Sequence, residues 1–115
     1  MADVWVLRRT PEDQRPGPRA RKARSRMVRI DTALYLSATE DEVLAQWQPG
    51  SENLVRLAAR KDGDQPLPYE FQLDLLATAA AARETCEKTG EDQVLVAELY
   101  KGTWSWETYR LSELA

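Results

Sequence analysis

The chain has 115 residues, of which 43% are apolar and 30% charged, and this size and composition are typical of one globular domain spanning residues 1–115. No apolar stretch approaches the roughly 20 residues that span a bilayer, and the start of the chain does not resemble a signal peptide. Its single cysteine excludes an internal disulfide and is typical of reducing compartments. We therefore expect a cytoplasmic protein that does not contact membranes.

The net charge of −3 conceals a strong asymmetry along the chain. Residues 1–29 contain nine bases and three acids, a balance of +6, whereas residues 30–115 contain seven bases and sixteen acids, a balance of −9. A basic segment attached to an acidic body is typical of an arm that contacts a partner.

Residues 3–9, DVWVLRR, are rich in β-forming side chains and predict a strand. Residues 10–26 contain three prolines, a glycine and no large apolar side chain, so they predict a basic loop or arm. Between Arg15 and Arg29 there are seven bases and no acid. Like charges repel, which favours an extended chain over a packed one.

Residues 27–37 alternate between apolar and polar side chains, as in a half-buried strand. The side chains predicted to share one face are Val28, Ile30, Thr32, Leu34 and Leu36. If this strand pairs antiparallel with residues 3–9, the basic segment becomes a loop tethered at both ends.

A short helix is predicted near residues 40–48. Thr39 is suited to the N-cap and Glu42 completes a capping box, while Pro49-Gly50 ends the helix. Residues 51–61 fit either a helix capped by Ser51 or a strand.

Residues 69–75 alternate without a fault and predict a strand near residues 68–75, followed by an alanine-rich helix near residues 76–89 that Gly90 ends. The alternative is one helix beginning at Tyr69. Its buried stripe would consist of Phe71, Leu75, Ala79, Ala82 and Cys86.

The last two strands, near residues 93–100 and 103–111, flank Lys101-Gly102 and predict a β-hairpin. Strands come mainly in adjacent pairs and do not alternate regularly with helices. The expected fold class is therefore α+β, with a mainly antiparallel sheet and helices packed on it.

The sequence offers no catalytic residues, metal ligands or cofactor motif. It lacks histidine, has one cysteine and contains only isolated glycines, which excludes Ser-His triads, thiolate or imidazole zinc sites and phosphate loops. Two groups of acids could act as acid and base, but a helix start and a turn explain them better. They are Glu40, Asp41 and Glu42, and Asp62, Asp64 and Glu70. Cys86 is expected to be a small buried residue.

Trp104 and Trp106 lie two residues apart and therefore on one face of a strand. Such a pair stacks nucleobases in some proteins. We favour the alternative that both pack under a helix, because the neighbouring residues are not a cluster of bases.

The basic segment has three interpretations: contact with nucleic-acid phosphates, docking on an acidic protein surface, or a solvated loop. The candidate residues are Arg15, Arg19, Arg21, Lys22, Arg24, Arg26 and Arg29. The leading hypothesis is a non-enzymatic accessory subunit of a larger assembly that touches phosphates with this segment. The alternative is an adaptor or inhibitor module that binds protein without nucleic acid.

Overall fold

The computed structural model describes residues 2–8, 27–30, 33, 35–47 and 54–114. The basic loop predicted at residues 10–26 lies outside them. The strands are β1 (Val4–Leu7), β2 (Met27–Arg29), β3 (Tyr35–Ala38), β4 (Glu42–Gln46), β5 (Val55–Ala59), β6 (Gln93–Tyr100) and β7 (Thr103–Arg110), and the helices are α1 (Phe71–Thr89) and α2 (Leu111–Leu114). One sheet has the order β2-β1-β6-β7 and the other the order β3-β4-β5.

The predicted hairpin of β6 and β7 is confirmed, with eight antiparallel pairs from Gln93↔Arg110 to Tyr100↔Thr103. Lys101 (φ 50°) and Gly102 (φ 77°) are both left-handed, as a type I′ turn requires. Strand β1 pairs parallel with β6 and antiparallel with β2. The two N-terminal strands thus have the antiparallel pairing under which the basic segment is tethered at both ends.

A single hydrophobic core joins both sheets to α1. The helix contributes four buried side chains, Phe71, Leu75, Ala82 and Cys86, whose spacing of four, seven and four residues places them on one face. The Cys86 thiol donates to the carbonyl of Asp3 at 3.4 Å, so this cysteine is buried, as expected. Mainly antiparallel sheets and one long helix confirm the α+β fold class.

The strand predicted at residues 27–37 is wrong as one element, because β2 and β3 belong to different sheets. The amide of Ile30 donates to the carbonyl of Val4 at 3.2 Å and completes the pairing with β1. The amide of Ala33 then donates to the carbonyl of Ile30 at 3.2 Å, which is a turn bond. The alternating pattern was real, but it spans a turn between two strands.

The helix predicted near residues 40–48 is also wrong, since β4 occupies Glu42–Gln46. Only half of the predicted capping box forms: the Thr39 hydroxyl accepts from the amides of Asp41 (3.1 Å) and Glu42 (3.2 Å), but the Thr39 amide donates to the backbone carbonyl of Glu42 (2.9 Å) and not to its side chain. These bonds close the turn between β3 and β4, because the same local bonds stabilise a turn and a helix start. Val43 and Ala45 are buried at strand spacing, and the ambiguous stretch 51–61 contains the neighbouring strand β5.

The strand predicted at residues 68–75 is replaced by α1, which begins at Phe71, so the single-helix alternative is confirmed. Phe71 and Leu75 are buried, whereas Tyr69 is 91% and Leu73 is 51% exposed. One face of a strand would have buried all four. Gly90 (φ 70°) ends the helix by donating its amide to the carbonyl of Cys86 at 2.8 Å.

Candidate functional site

Both ends of the basic segment leave the fold at neighbouring positions. Leu7 lies opposite Met27 in the β1–β2 pairing, so residues 8–26 connect two adjacent strand ends. Six of the seven predicted binding residues belong to this connection and lie outside the described residues. They are Arg15, Arg19, Arg21, Lys22, Arg24 and Arg26.

The seventh predicted residue, Arg29, is engaged within the sheet. Its Nη2 lies 3.2 Å from Oδ1 of Asp3, and its carbonyl accepts from the indole Nε1 of Trp47 at 2.9 Å. Both side chains of the ion pair are partly exposed, so water screens the attraction. Arg29 therefore forms an ion pair within the sheet, beside the basic segment.

Asp92 links the two ends of the chain and was not singled out by the sequence. Its Oδ1 accepts from the amide of Asp3 at 2.7 Å, and its Oδ2 accepts from Nε1 of Trp5 at 3.1 Å. Its carbonyl accepts from the amide of Leu111 at 3.1 Å. The sequence around Asp92 does not indicate these hydrogen bonds, because their donors lie 87 and 89 residues away along the chain.

A second arginine at the root of the segment joins the two sheets. The Nε of Arg8, just after β1, donates to the carbonyl of Arg56 in β5 at 2.8 Å. The Nη1 of Arg56 lies 3.9 Å from Oε2 of Glu42. The described bases nearest the segment therefore have structural contacts.

Trp104 and Trp106 lie on one face of β7 and pack beneath the start of α1. They are 6% and 7% exposed, and the ring of Phe71 stacks on Trp106 at 4.9 Å and meets Trp104 edge-on at 6.4 Å. The indole nitrogen of Trp104 donates to the carbonyl of Gln65 (2.8 Å) and that of Trp106 to the carbonyl of Phe71 (3.0 Å). Both tryptophans are therefore part of the core, which confirms the prediction that they pack under a helix.

The candidate acids divide between ion pairs, turns and a cleft. Asp41 accepts a hydrogen bond from Nε of Arg60 at 2.7 Å, and the side chain of Asp64 accepts one from the amide of Lys61 at 3.3 Å in a turn. Glu40 and Glu70 line a cleft of about 490 Å³ at the N-terminal end of α1. The other residues lining it are Ala38, Thr39, Pro66, Leu67, Pro68, Tyr69 and Gln72.

Both glutamates of this cleft are exposed, so water surrounds their carboxylates. Tyr69, whose ring is 91% exposed, also lines this cleft.

Within the described residues, no group of three or more potential ligating side chains could hold a metal ion. The helices of this part of the chain are all too short or too polar to cross a membrane. Comparison of the chain with family models, with curated proteins and with solved structures finds no match. Its function must therefore be inferred from its own residues.

Proposed function

We propose that this protein is a cytoplasmic, non-enzymatic accessory subunit that contacts nucleic-acid phosphates with the bases of residues 15–26. The observation that carries the proposal is the pairing of Leu7 with Met27. It tethers at both ends a segment with six bases and no acid between Arg15 and Arg26. The segment is thereby attached at both ends to a fold in which residues 30–115 carry a net charge of −9.

Arginine is well suited to phosphate binding, since its guanidinium fork matches two phosphate oxygens. Five of the six bases are arginines, and no aromatic residue is interleaved among them. Binding of this kind reads the backbone and not the base sequence. Because Arg29 is already paired with Asp3, the contact rests on the six bases alone.

The test is the salt dependence of binding to duplex DNA by the full chain. Six neutralised phosphates predict a slope of log K against log salt near −5. Absence of binding to DNA and RNA at low salt would refute the proposal.

The register of β1 and β2 suggests a variant that keeps the fold. Replacing residues 9–25 by Asn-Gly leaves Arg8 and Arg26 as the closing pair of a two-residue hairpin. The variant removes five of the six bases, so the slope is expected to fall to about −1. A matched control carries Lys61→Gln and Lys88→Gln, two exposed bases on the body, and should keep the wild-type slope.

The second candidate function is a protein-binding adaptor or inhibitor, which the cleft at Glu40, Glu70 and Tyr69 favours. In this case a partner stays bound after nuclease treatment and also binds the hairpin variant without the segment. Tyr69→Ala should weaken the complex, because this ring is 91% exposed and its loss leaves the core intact. The control is Tyr100→Ala, at a tyrosine that is 69% exposed and does not line the cleft.

A further inference from the structure

The two edges of the four-stranded sheet differ in how they are protected. Strand β2 has only three residues, and the carbonyl of Arg29 in it already accepts a hydrogen bond from the indole of Trp47. Strand β7 has eight residues, is paired in register along its whole length and contains no proline or bulge between residues 103 and 110. Long regular edges of this kind readily pair with another strand, and natural proteins normally block them.

The hairpin geometry determines which backbone groups of β7 point outward. In a two-residue hairpin the closing residues, here Tyr100 and Thr103, form a hydrogen-bonded pair, and such pairs recur at every second position. The outward groups therefore belong to Trp104, Trp106, Thr108 and Arg110. The amide of Arg110 is consistent with this assignment, because it does not bond to β6 and instead donates to Oε1 of Glu113 at 2.9 Å.

The other three outward positions have no such cap. In the described part of the chain, no hydrogen bond reaches the outward N–H or C=O groups of Trp104, Trp106 and Thr108. Water must satisfy these groups in an isolated molecule, because unpaired backbone groups are costly.

We propose that β7 pairs antiparallel with β7 of a second copy, with the two-fold axis at Trp106. Three outward residues in each copy supply three amide donors, so two copies form six backbone hydrogen bonds. The product is a continuous sheet of eight strands, four from each copy. The same strand serves both sides, as a two-fold interface requires.

The side chains of β7 are self-complementary in this register. Trp104 lies beside Thr108 of the second copy on the helix face, and aromatic side chains pair well with β-branched ones. On the other face, Ser105 lies beside Glu107 of the second copy. Moving the axis by one residue to Glu107 would place two carboxylates directly opposite each other, so charge disfavours that neighbouring register.

The first test is the mass of the full chain in solution after nuclease treatment, measured by sedimentation equilibrium across a concentration series. A dimer of the 13.1 kDa chain has twice that mass. Thr108→Pro removes one outward amide that β6 does not use, and edge strands tolerate proline at such positions. We expect this variant to be folded and monomeric, whereas Thr108→Val keeps the amide and should remain dimeric.

A second pair of variants leaves the backbone untouched. Ser105→Glu places like charges opposite each other at two symmetric positions and should raise the dimer dissociation constant roughly 5- to 30-fold. Ser105→Lys places opposite charges there and should lower it. A monomeric wild type at every concentration overturns the proposal, and so does a dimer that responds to neither Thr108→Pro nor the charge at residue 105.

Discussion

Leu73 and Leu75 carry the same side chain two residues apart on α1, but only one of them is in the core. Leu75 is 0% and Leu73 is 51% exposed. A strand would place both on one face and bury them equally, whereas the helix separates them by about 200° of rotation. Replacing each by alanine therefore measures which secondary structure the protein has in solution.

The expected costs follow from these exposures. Leu75→Ala removes a buried side chain and leaves a cavity, which costs about 3 to 5 kcal/mol in the free energy of unfolding. Leu73→Ala loses half the burial of one leucine, about 1 kcal/mol, and the greater helix propensity of alanine offsets a few tenths of that. The two variants should thus differ by about 3 kcal/mol, a large share of the total stability expected for a domain of this size.

The assay is equilibrium unfolding in urea, followed by tryptophan fluorescence because the core contains Trp104 and Trp106. With a slope of about 1.5 kcal/mol per molar urea, Leu75→Ala lowers the midpoint by roughly 2 to 3 M and Leu73→Ala by under about 0.7 M. Equal shifts for the two variants would refute the helix and restore the alternating strand.

Three further predictions concern the sheet. The hydrogen bond that Tyr109 donates to Glu98 (2.6 Å), together with burial and nearby acids, raises the pKa of Tyr109 from 10.0 to about 12. The contribution of this hydrogen bond to stability is therefore complete below pH 10 and is lost as the pH rises toward 12. In a pH titration, the tyrosinate absorbance that Tyr109→Phe removes should appear near pH 12, and its appearance at pH 10 would contradict the bond. Asp92→Ala should lower the free energy of unfolding by about 2 kcal/mol, because the amide and the indole that it accepts from lose their partner, and a loss under about 0.5 kcal/mol would contradict this role. Gly102→Ala should lower the free energy of unfolding by about 1 to 2 kcal/mol, because alanine is strained in the left-handed backbone of this position. Lys101→Asn should raise it, because asparagine tolerates that backbone better than lysine. In thermal denaturation, the midpoint should therefore fall for the first variant and rise for the second.

The features that could be predicted from the sequence are those set by contacts between near neighbours. The hairpin of β6 and β7 follows from a two-residue turn, in which Gly102 readily adopts a left-handed backbone, and from the apolar runs on either side. The burial of Cys86 and the packing of Trp104 and Trp106 under a helix were also anticipated. The acidic body and the basic segment are properties of composition alone.

The errors arose where one local signal serves two structures. The hydroxyl of Thr39 binds the same amides in a turn as at a helix start, so the choice between helix and β4 depended on pairing with β3 and β5. Phe71 and Leu75 satisfy both a period of two and a helical spacing of four. Their packing in the core with Trp104 and Trp106 selects the helix. Tertiary burial overrides local preference in such cases.

The contacts around the basic segment could be found only in the tertiary structure. Asp3 and Asp92 are 89 residues apart, and Arg29 meets Asp3 only because β2 pairs with β1. The fold class, the closing hairpin and the charge imbalance could be predicted from the amino-acid sequence, since each depends on residue type or on adjacent residues. The pairing of strands into two sheets, the choice of the buried leucine and the unpaired edge of β7 among the described residues depend on surfaces that meet only after the chain has folded.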